Sequence, residues 1–362
     1  MATFEGILWA SHQMRYGLKD RDYELLDGDA RVHSVSRSIH YALFLAFEGI
    51  RFFVRRQASG GLEAVFLNWH QNLERFRRGM AYNLEAAAAK IVPSVEELED
   101  ILIHLYFREP AMKEFFETAA ALGAQGYLRP FTVDEDQSIG VTFPNRPAIR
   151  AVVARYDRYL GEPFCGVVIP HLVRAVAANA IGCLKLGVNY LVSVKAVEEA
   201  RKSCPEAAAA LFLDDQTHRP LEERNVTEWD SSCCLFALRD GTVVKIPESP
   251  LILPSVTIQG ITAILRHWGI AVVERHLTYG ELAERTKSGD LVAACSVGTA
   301  GILNRCQKLY LADGCEGIRA VHQPDEKHPL YAKLAEARAY YWDVFRGKVP
   351  PVEGMSLYRY SL

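Results

Sequence analysis

Leu184-Lys185-Leu186-Gly187-Val188-Asn189-Tyr190 sets one lysine between two leucines, where an ammonium group is poorly solvated. Such surroundings disfavour the charged form and leave the amine available as a nucleophile towards an aldehyde. The glycine that follows lets backbone approach a bound group, and Tyr190 offers a hydroxyl to a phenolate oxygen. Two readings stand at this point. The lysine either runs its methylenes out to water or carries a cofactor as an imine, and the rest of the chain decides between them.

The 362 residues suggest two domains, each long enough to bury its own core. With 41 basic against 44 acidic residues, a formal net of −3, no basic field for nucleic acid or anionic membrane is implied. No apolar run reaches the ~18 residues of a spanning helix, and Met1 to Asp20 is polar where a signal peptide is apolar. A soluble, cytoplasmic protein is expected. All eight cysteines lie between Cys165 and Cys315, none in a Cys-x-x-Cys pair, so reduced thiols are expected rather than a disulfide framework or a metal site.

Outward from the lysine, the apolar run from Asp29 to Phe53 reads as strands interrupted by a turn at Glu48-Gly49. Its Tyr41 and Phe47 are either core residues or the lining of a small-molecule pocket. Leu62 to Leu67 reads as a strand, and the spacing of Leu73, Phe76 and Met80 as a helical face carrying Arg75, whose guanidinium suits a phosphate if it faces a cleft. Pro93-Ser94-x-x-Glu97 opens a helix to about Phe107, and a second runs from Ala111 to Leu122. Tyr127-Leu128-Arg129-Pro130 is extended, which puts Tyr127 and Arg129 on one face as a candidate carboxylate receptor. After strand-like Ile149 to Leu160, Gly161-Glu162-Pro163 is the candidate hinge; strand-like Cys165 to Val176 follows.

Beyond Tyr190 the pattern predicts a helix to Ser203, a buried strand over Ala209 to Leu213, and a strand over Val226 to Phe236 with Glu228 at its start. Glu228 reads as an exposed acid or as a carboxylate meeting a ring nitrogen. Leu253-Pro254-Ser255-Val256-Thr257 leads into a helix over Ile258 to Trp268, whose first amides form an anion site. Thr278-x-x-Glu281 is a capping pair, and the turn at Ser296-Val297-Gly298-Thr299-Ala300 offers hydroxyls and amides to a phosphate.

Taken together and in this order, DARVH…HY…FEGIR, NLER, YLRP, KLGVNY, the TE-containing strand, LPSVT and SVGTA resemble the branched-chain aminotransferases of the fold type IV (class IV) pyridoxal-phosphate enzymes, over about Asp29 to Gly301. The resemblance implies an α/β (α+β) fold: a smaller N-terminal domain over 1–158, a linker over 159–163, and a larger domain over 164–362 with a mixed pseudo-barrel sheet. It implies that Lys185 is catalytic and forms the imine with pyridoxal 5'-phosphate, that Tyr190 bonds the phenolic oxygen and that Glu228 meets the pyridine nitrogen. Arg75, the amides of Val256 and Thr257, and Thr299 would hold the phosphate. Tyr41, Phe47, Tyr127, Arg129, Ser231 and Ala300 would contact substrate, Arg129 receiving the side-chain carboxylate of glutamate.

The implied activity is a ping-pong transamination between a hydrophobic L-amino acid and 2-oxoglutarate in a homodimer, with no nucleic-acid or membrane partner. Departures from the pattern fall on the substrate side. The interval from His40-Tyr41 to Phe47-Glu48 is one residue long, cysteine and an extra residue follow Glu228 so that Ser231 or Ser232 takes the hydroxyl position, and LPSVT lacks its usual glycine and arginine. A non-standard amino acid of specialised metabolism fits these changes. A lyase or a D-amino acid aminotransferase of the same fold, and an idle cofactor-binding homologue, are the alternatives.

Overall fold

A computed structural model describes residues 3–160, 164–313 and 317–362; the hinge residues 161–163 and Cys315 lie outside the described residues. The chain forms two compact units.

The first unit is Phe4–Arg158 with Leu184–Val188 and Ser356–Leu362. Its antiparallel sheet contains β1 (Leu8–Trp9), β2 (His12–Gly17), β3 (Tyr23–Asp27), β4 (Ile50–Arg56), β5 (Leu62–Leu67), β6 (Gln125–Asp134) and β7 (Pro147–Tyr156). The order is β5-β4-β6-β7-β2-β3, with β1 paired to β7 and the last strand of the chain, Leu357–Ser361, added beside β5. Helices α1 (Arg37–Tyr41), α2 (Trp69–Tyr82), α3 (Val95–Glu99) and α4 (Lys113–Leu122) complete it. Every side chain of β5 is buried, as is the aromatic cluster of Phe52, Phe66, Phe107 and Phe116.

Local signals are obeyed where the sequence is explicit. Ser94 accepts from the Glu97 amide at 3.1 Å while Glu97 returns to the Ser94 amide at 2.7 Å, and α3 continues as π-helical turns to Phe107. Gly123 ends α4 in the left-handed region, φ +59°.

The segment Asp29 to Phe53 departs from the strands expected for it. Residues 37–41 form α1 instead, because Ser36 caps the turn from the Ser38 amide, Ser38 Oγ donates to the Leu43 carbonyl, and the buried Arg37 guanidinium reaches Asp134 at 2.7 Å. Ala42 and Phe44 then take left-handed backbone, φ +54° and +55°. Bonds from the Phe44 amide to Asn83 Oδ1 and from Thr132 Oγ1 to the Phe44 carbonyl hold that strained path, and ordered strand resumes only at Ile50.

The second unit is Tyr159–Cys183 and Asn189–Met355, with Met1–Thr3. Its mixed sheet contains β8 (Phe164–Ile169), β9 (Ala207–Leu213), β10 (Val226–Trp229), β11 (Cys233–Leu238), β12 (Val243–Lys245), β13 (Val272–Glu274), β14 (Leu291–Gly298), β15 (Ile302–Asp313) and β16 (Gly317–His322). The order is β10-β9-β8-β15-β14-β11-β12-β13, with β16 beside β15; β8 is parallel to both neighbours, and β12 is parallel to β13. Helices α5 (Leu191–Ser203), α6 (Val256–His267), α7 (Tyr279–Ser288) and α8 (Pro329–Phe345) belong to this unit.

Three expectations are revised here. The run Cys165 to Val176 is strand only to Ile169, since Pro170 has no N–H to continue the ladder. Val226 to Phe236 is two strands split by a turn at 230–232. In the Thr278–Glu281 pair Thr278 caps the Glu281 amide at 3.1 Å, but the Glu281 carboxylate goes to Arg275 and Arg285 rather than back to the cap.

The main division between the units falls between Arg158 and Tyr159, with shorter excursions on both sides. Residues 184–188 and 356–362 return to the first unit, the latter because Leu357–Ser361 pairs with β5 from Leu357↔Leu67 to Ser361↔Glu63.

Candidate active site

In the first unit the lysine segment is built onto the stretch before β4. The Phe47 amide donates to the Lys185 carbonyl at 3.0 Å, the Gly187 amide donates to the Leu45 carbonyl at 3.1 Å, and Ala46 and Leu186 form an antiparallel bridge. Helix α2 presses on this bridge at Gly79, where an added Cβ would stand 3.0 Å from that of Ala46. Lys185 is half-buried, and its Nζ lies 5.1 Å from the centre of the Phe47 ring.

The Arg129 guanidinium lies over the same ring at 4.8 Å and over the Tyr127 ring at 5.1 Å, and donates through Nη2 to the Tyr127 hydroxyl. The alternation expected of β6 thus puts Tyr127 and Arg129 side by side. The phenol fits only because residue 49 is glycine: an added Cβ there would meet the Tyr127 hydroxyl at 2.3 Å. Lys185 and Arg129 thus both lie against the Phe47 ring, and Arg129 is bonded in turn to the Tyr127 phenol.

Two residues of the expected set sit differently. Tyr41 is exposed at the end of α1, with the His40 ring 6.2 Å from its own. Arg75 commits Nε and Nη2 to the carboxylate of Glu48, at 2.7 and 2.6 Å, and both residues are buried. Glu48 also accepts the Gly49 amide at 2.8 Å.

In the second unit Glu228 stands on β10, 2 % exposed, so the reading of an exposed acid is excluded. Its Oε1 takes a bond of 2.6 Å from Arg174 Nη1, and the Arg174 guanidinium lies 5.3 Å from the Tyr190 ring centre. Tyr190 stands at the start of α5, next to Asn189, whose buried amide donates to the Ile181 carbonyl at 2.7 Å.

Ser255 caps α6 by accepting the Ile258 amide at 3.2 Å, so the amides of Val256 and Thr257 occupy the first helical turn, where no intrahelical acceptor exists. Thr299 and Ala300 lie in the turn between β14 and β15. Gly301 closes it over Asn304, whose Nδ2 would be 2.0 Å from an added Cβ, and Ile302, a β-branched residue at φ +63°, starts β15. Of the two serines after Glu228, Ser231 is exposed. Ser232 is half-buried, bonds Ser296 Oγ at 2.6 Å and packs against Gly298.

A model of the class IV aminotransferase family matches residues 45–289 of the chain. The chain belongs to the class IV aminotransferases. Members of this family use pyridoxal phosphate. The mitochondrial branched-chain-amino-acid aminotransferase of Bos taurus is 27 % identical over 278 residues, 74 % of this chain and 65 % of the relative. Branched-chain-amino-acid aminotransferase 2 of Bacillus subtilis is 27 % identical over 225 residues, 61 % of this chain and 59 % of the relative. The matched part therefore spans less than two thirds of either relative. The solved branched-chain aminotransferase of Thermoproteus uzoniensis with norvaline has the same fold, with a TM-score of 0.67 at 20 % identity, covering 94 % of this chain and 96 % of that one.

The donor chemistry of this class IV aminotransferase fits such a cofactor. The first unit supplies a half-buried primary amine beside an aromatic ring. The second carries a buried carboxylate, a phenol, helix-start amides and a turn with a threonine hydroxyl, each of a type that such a group uses. Sequence reasoning missed Arg174 and Glu48. Each could have been found by the rule applied to Lys185, since a charge inside an apolar stretch needs a partner.

Asp230, in the turn after Glu228, supplies a pH-dependent prediction for the enzyme. Burial of its carboxyl raises the pKa to about 6, partly offset by the Ala210 amide, Ser231 and Arg174. Between pH 4 and 6 the folded chain therefore holds a proton that the unfolded chain has released, so this contribution to stability is full below pH 4 and is lost as pH rises through 6. Asp230→Asn keeps an acceptor for the Ala210 amide and removes the titration. The variant should gain about 1–2 kcal/mol on the wild type between pH 4.5 and 7.5, after allowance for the partial exposure of the residue. Parallel unfolding curves at the two pH values would show that Asp230 does not titrate in this range.

Proposed function

We propose that the protein transfers an amino group between a hydrophobic L-amino acid, branched-chain or a non-standard relative, and 2-oxoglutarate, by a ping-pong route, as a cytoplasmic homodimer. The observation that carries this reading is the cluster of Lys185, Phe47, Arg129 and Tyr127 in a class IV aminotransferase. It joins an amine to an apolar surface and to a carboxylate receptor, as a site that takes both a hydrophobic amino acid and glutamate in turn requires.

Pyridoxal phosphate, when bound, supplies an electron sink for the pair released at the substrate α-carbon. Lys185 would hold the cofactor and, once released from it, carry the proton away from the α-carbon through Nζ. Glu228 would meet the ring nitrogen, and the Tyr190 hydroxyl would meet the phenolic oxygen. The amides of Val256 and Thr257 and the Thr299 hydroxyl would fix the phosphate, an orientation effect. Arg75 would contribute least to that set, because its Nε and Nη2 are engaged by Glu48. Arg129 would take the second carboxylate of glutamate, Phe47 and Tyr41 the apolar side chain, and Ser231 and Ala300 the α-carboxylate, with Ser232 the better-placed hydroxyl beside Gly298.

Adding L-amino acids singly to the holoenzyme tests this. Hydrophobic L-amino acids should convert the resting cofactor spectrum to that of the aminated form, and 2-oxoglutarate should restore it. Release of ammonia with no need of a keto acid would indicate a lyase, conversion by D-amino acids alone would indicate the other stereochemistry, and no conversion by any amine would contradict transamination.

A further inference from the structure

Where the proton shared by Glu228 and a ring nitrogen rests depends on the residue behind Glu228. The Glu228 and Arg174 side chains are each 3 % exposed and are joined by a bond of 2.6 Å. We propose that Arg174 is a positioning residue that holds Glu228 as a carboxylate anion, so that the proton between Glu228 and a bound pyridine ring rests on the ring nitrogen. This rests on the assignment of Glu228 to that nitrogen.

The effect of Arg174 is electrostatic. In a dry site an acid and a pyridine relax towards the neutral pair, with the carboxyl protonated, because two separated charges are poorly solvated there. A fixed cation bonded to the carboxylate reverses that preference. It stabilises negative charge on the group it touches more than it opposes positive charge on a group one hydrogen bond further away. Arg174 meets this condition because a guanidinium stays charged. Burial pulls its pKa down, yet Glu228, Tyr190 and Cys233 around it leave it above the ordinary arginine value. Among the described residues, Glu228, Tyr190, Cys233 and Asp230 are ionisable groups coupled to this cation, and Glu228 is ion-paired with it.

The same guanidinium also lies against the Tyr190 ring. One cation therefore fixes both residues assigned to the polar atoms of the cofactor ring, and a neutral side chain of similar size would keep the packing without the charge. That difference makes the proposal separable from a merely structural role.

The test uses two readouts on wild type, Arg174→Gln and Arg174→Lys. In holoenzyme loaded with ring-15N cofactor, the nitrogen resonance of wild type and of Arg174→Lys should lie at the pyridinium position, and that of Arg174→Gln should move towards neutral pyridine. In the cofactor-free chain at pH 7, infrared difference spectra should show a protonated carboxyl band in Arg174→Gln that vanishes when Glu228→Gln is added. Pyridinium and carboxylate signals unchanged in Arg174→Gln would overturn the proposal. If the glutamine variant does not fold, Arg174→His decides: its ring-nitrogen resonance should turn neutral as the histidine deprotonates near its usual range, and a resonance as insensitive to pH as that of wild type would overturn the proposal. Failure of the wider site reading looks different, because no chain would then place the labelled ring beside residue 228 while the infrared result on Glu228 would stand.

Discussion

Lys185→Ala is expected to lower the rate of transamination by at least about 10⁴-fold, the upper end of what a single acid–base group contributes, because the same amine holds the cofactor and moves the proton. The near-visible absorbance of the bound cofactor should vanish with it. Stability should barely change. Lys185 is half-buried, and its backbone bonds with Phe47 do not depend on the side chain, so the melting point of the cofactor-free chain should shift by no more than about 1–2 °C. Retained absorbance with retained turnover would remove Lys185 from the chemistry. Loss of both together with a large fall in melting point would mean that the lysine is structural.

Arg75→Met is expected to act in the opposite sense, as a loss of stability before any loss of cofactor. Glu48 is fully buried and bonded twice by Arg75, so removal of the guanidinium leaves an uncompensated buried carboxylate at a cost of about 3–5 kcal/mol. For a unit of this size that corresponds to a fall of roughly 10 °C in melting point. The double variant Arg75→Met with Glu48→Leu should recover most of the loss, since two apolar side chains need no pairing. An Arg75 whose main duty is phosphate binding predicts another pattern: an unchanged melting point for the cofactor-free chain and a weaker affinity for pyridoxal phosphate. Calorimetry of the single and double variants without cofactor separates the two.

The contrast between Lys185 and Arg75 shows what the sequence can disclose. Features set by neighbours a few residues apart were legible: the Ser94–Glu97 cap, the stop at Gly123, the buried strand Leu62–Leu67 and the shared face of Tyr127 and Arg129. Features set by distant partners were not. Asp29 to Phe53 has the apolar pattern of strands, but Ser36, Arg37 and Ser38 bond to Asp134 nearly a hundred residues on and turn the chain into a helix there. Leu357–Ser361 carries no mark of its partner β5, about 290 residues earlier in the chain. The ion pair of Arg75 was missed because its carboxylate partner, Glu48, stood in a stretch read only for its turn. Arg174 was passed over inside an apolar run that the eye takes for strand. Residue type and order named the candidate site groups but gave neither the arginine that holds Glu228 nor the packing of Ser232, rather than Ser231, against Gly298.

The role of Lys185 is open to direct chemical mapping. Borohydride reduction of the enzyme with pyridoxal phosphate bound, followed by proteolysis and mass spectrometry, should place a single phosphopyridoxyl group on the peptide that contains Lys185. A reduced adduct on any other lysine, or none at all from enzyme that still turns over, would contradict the account.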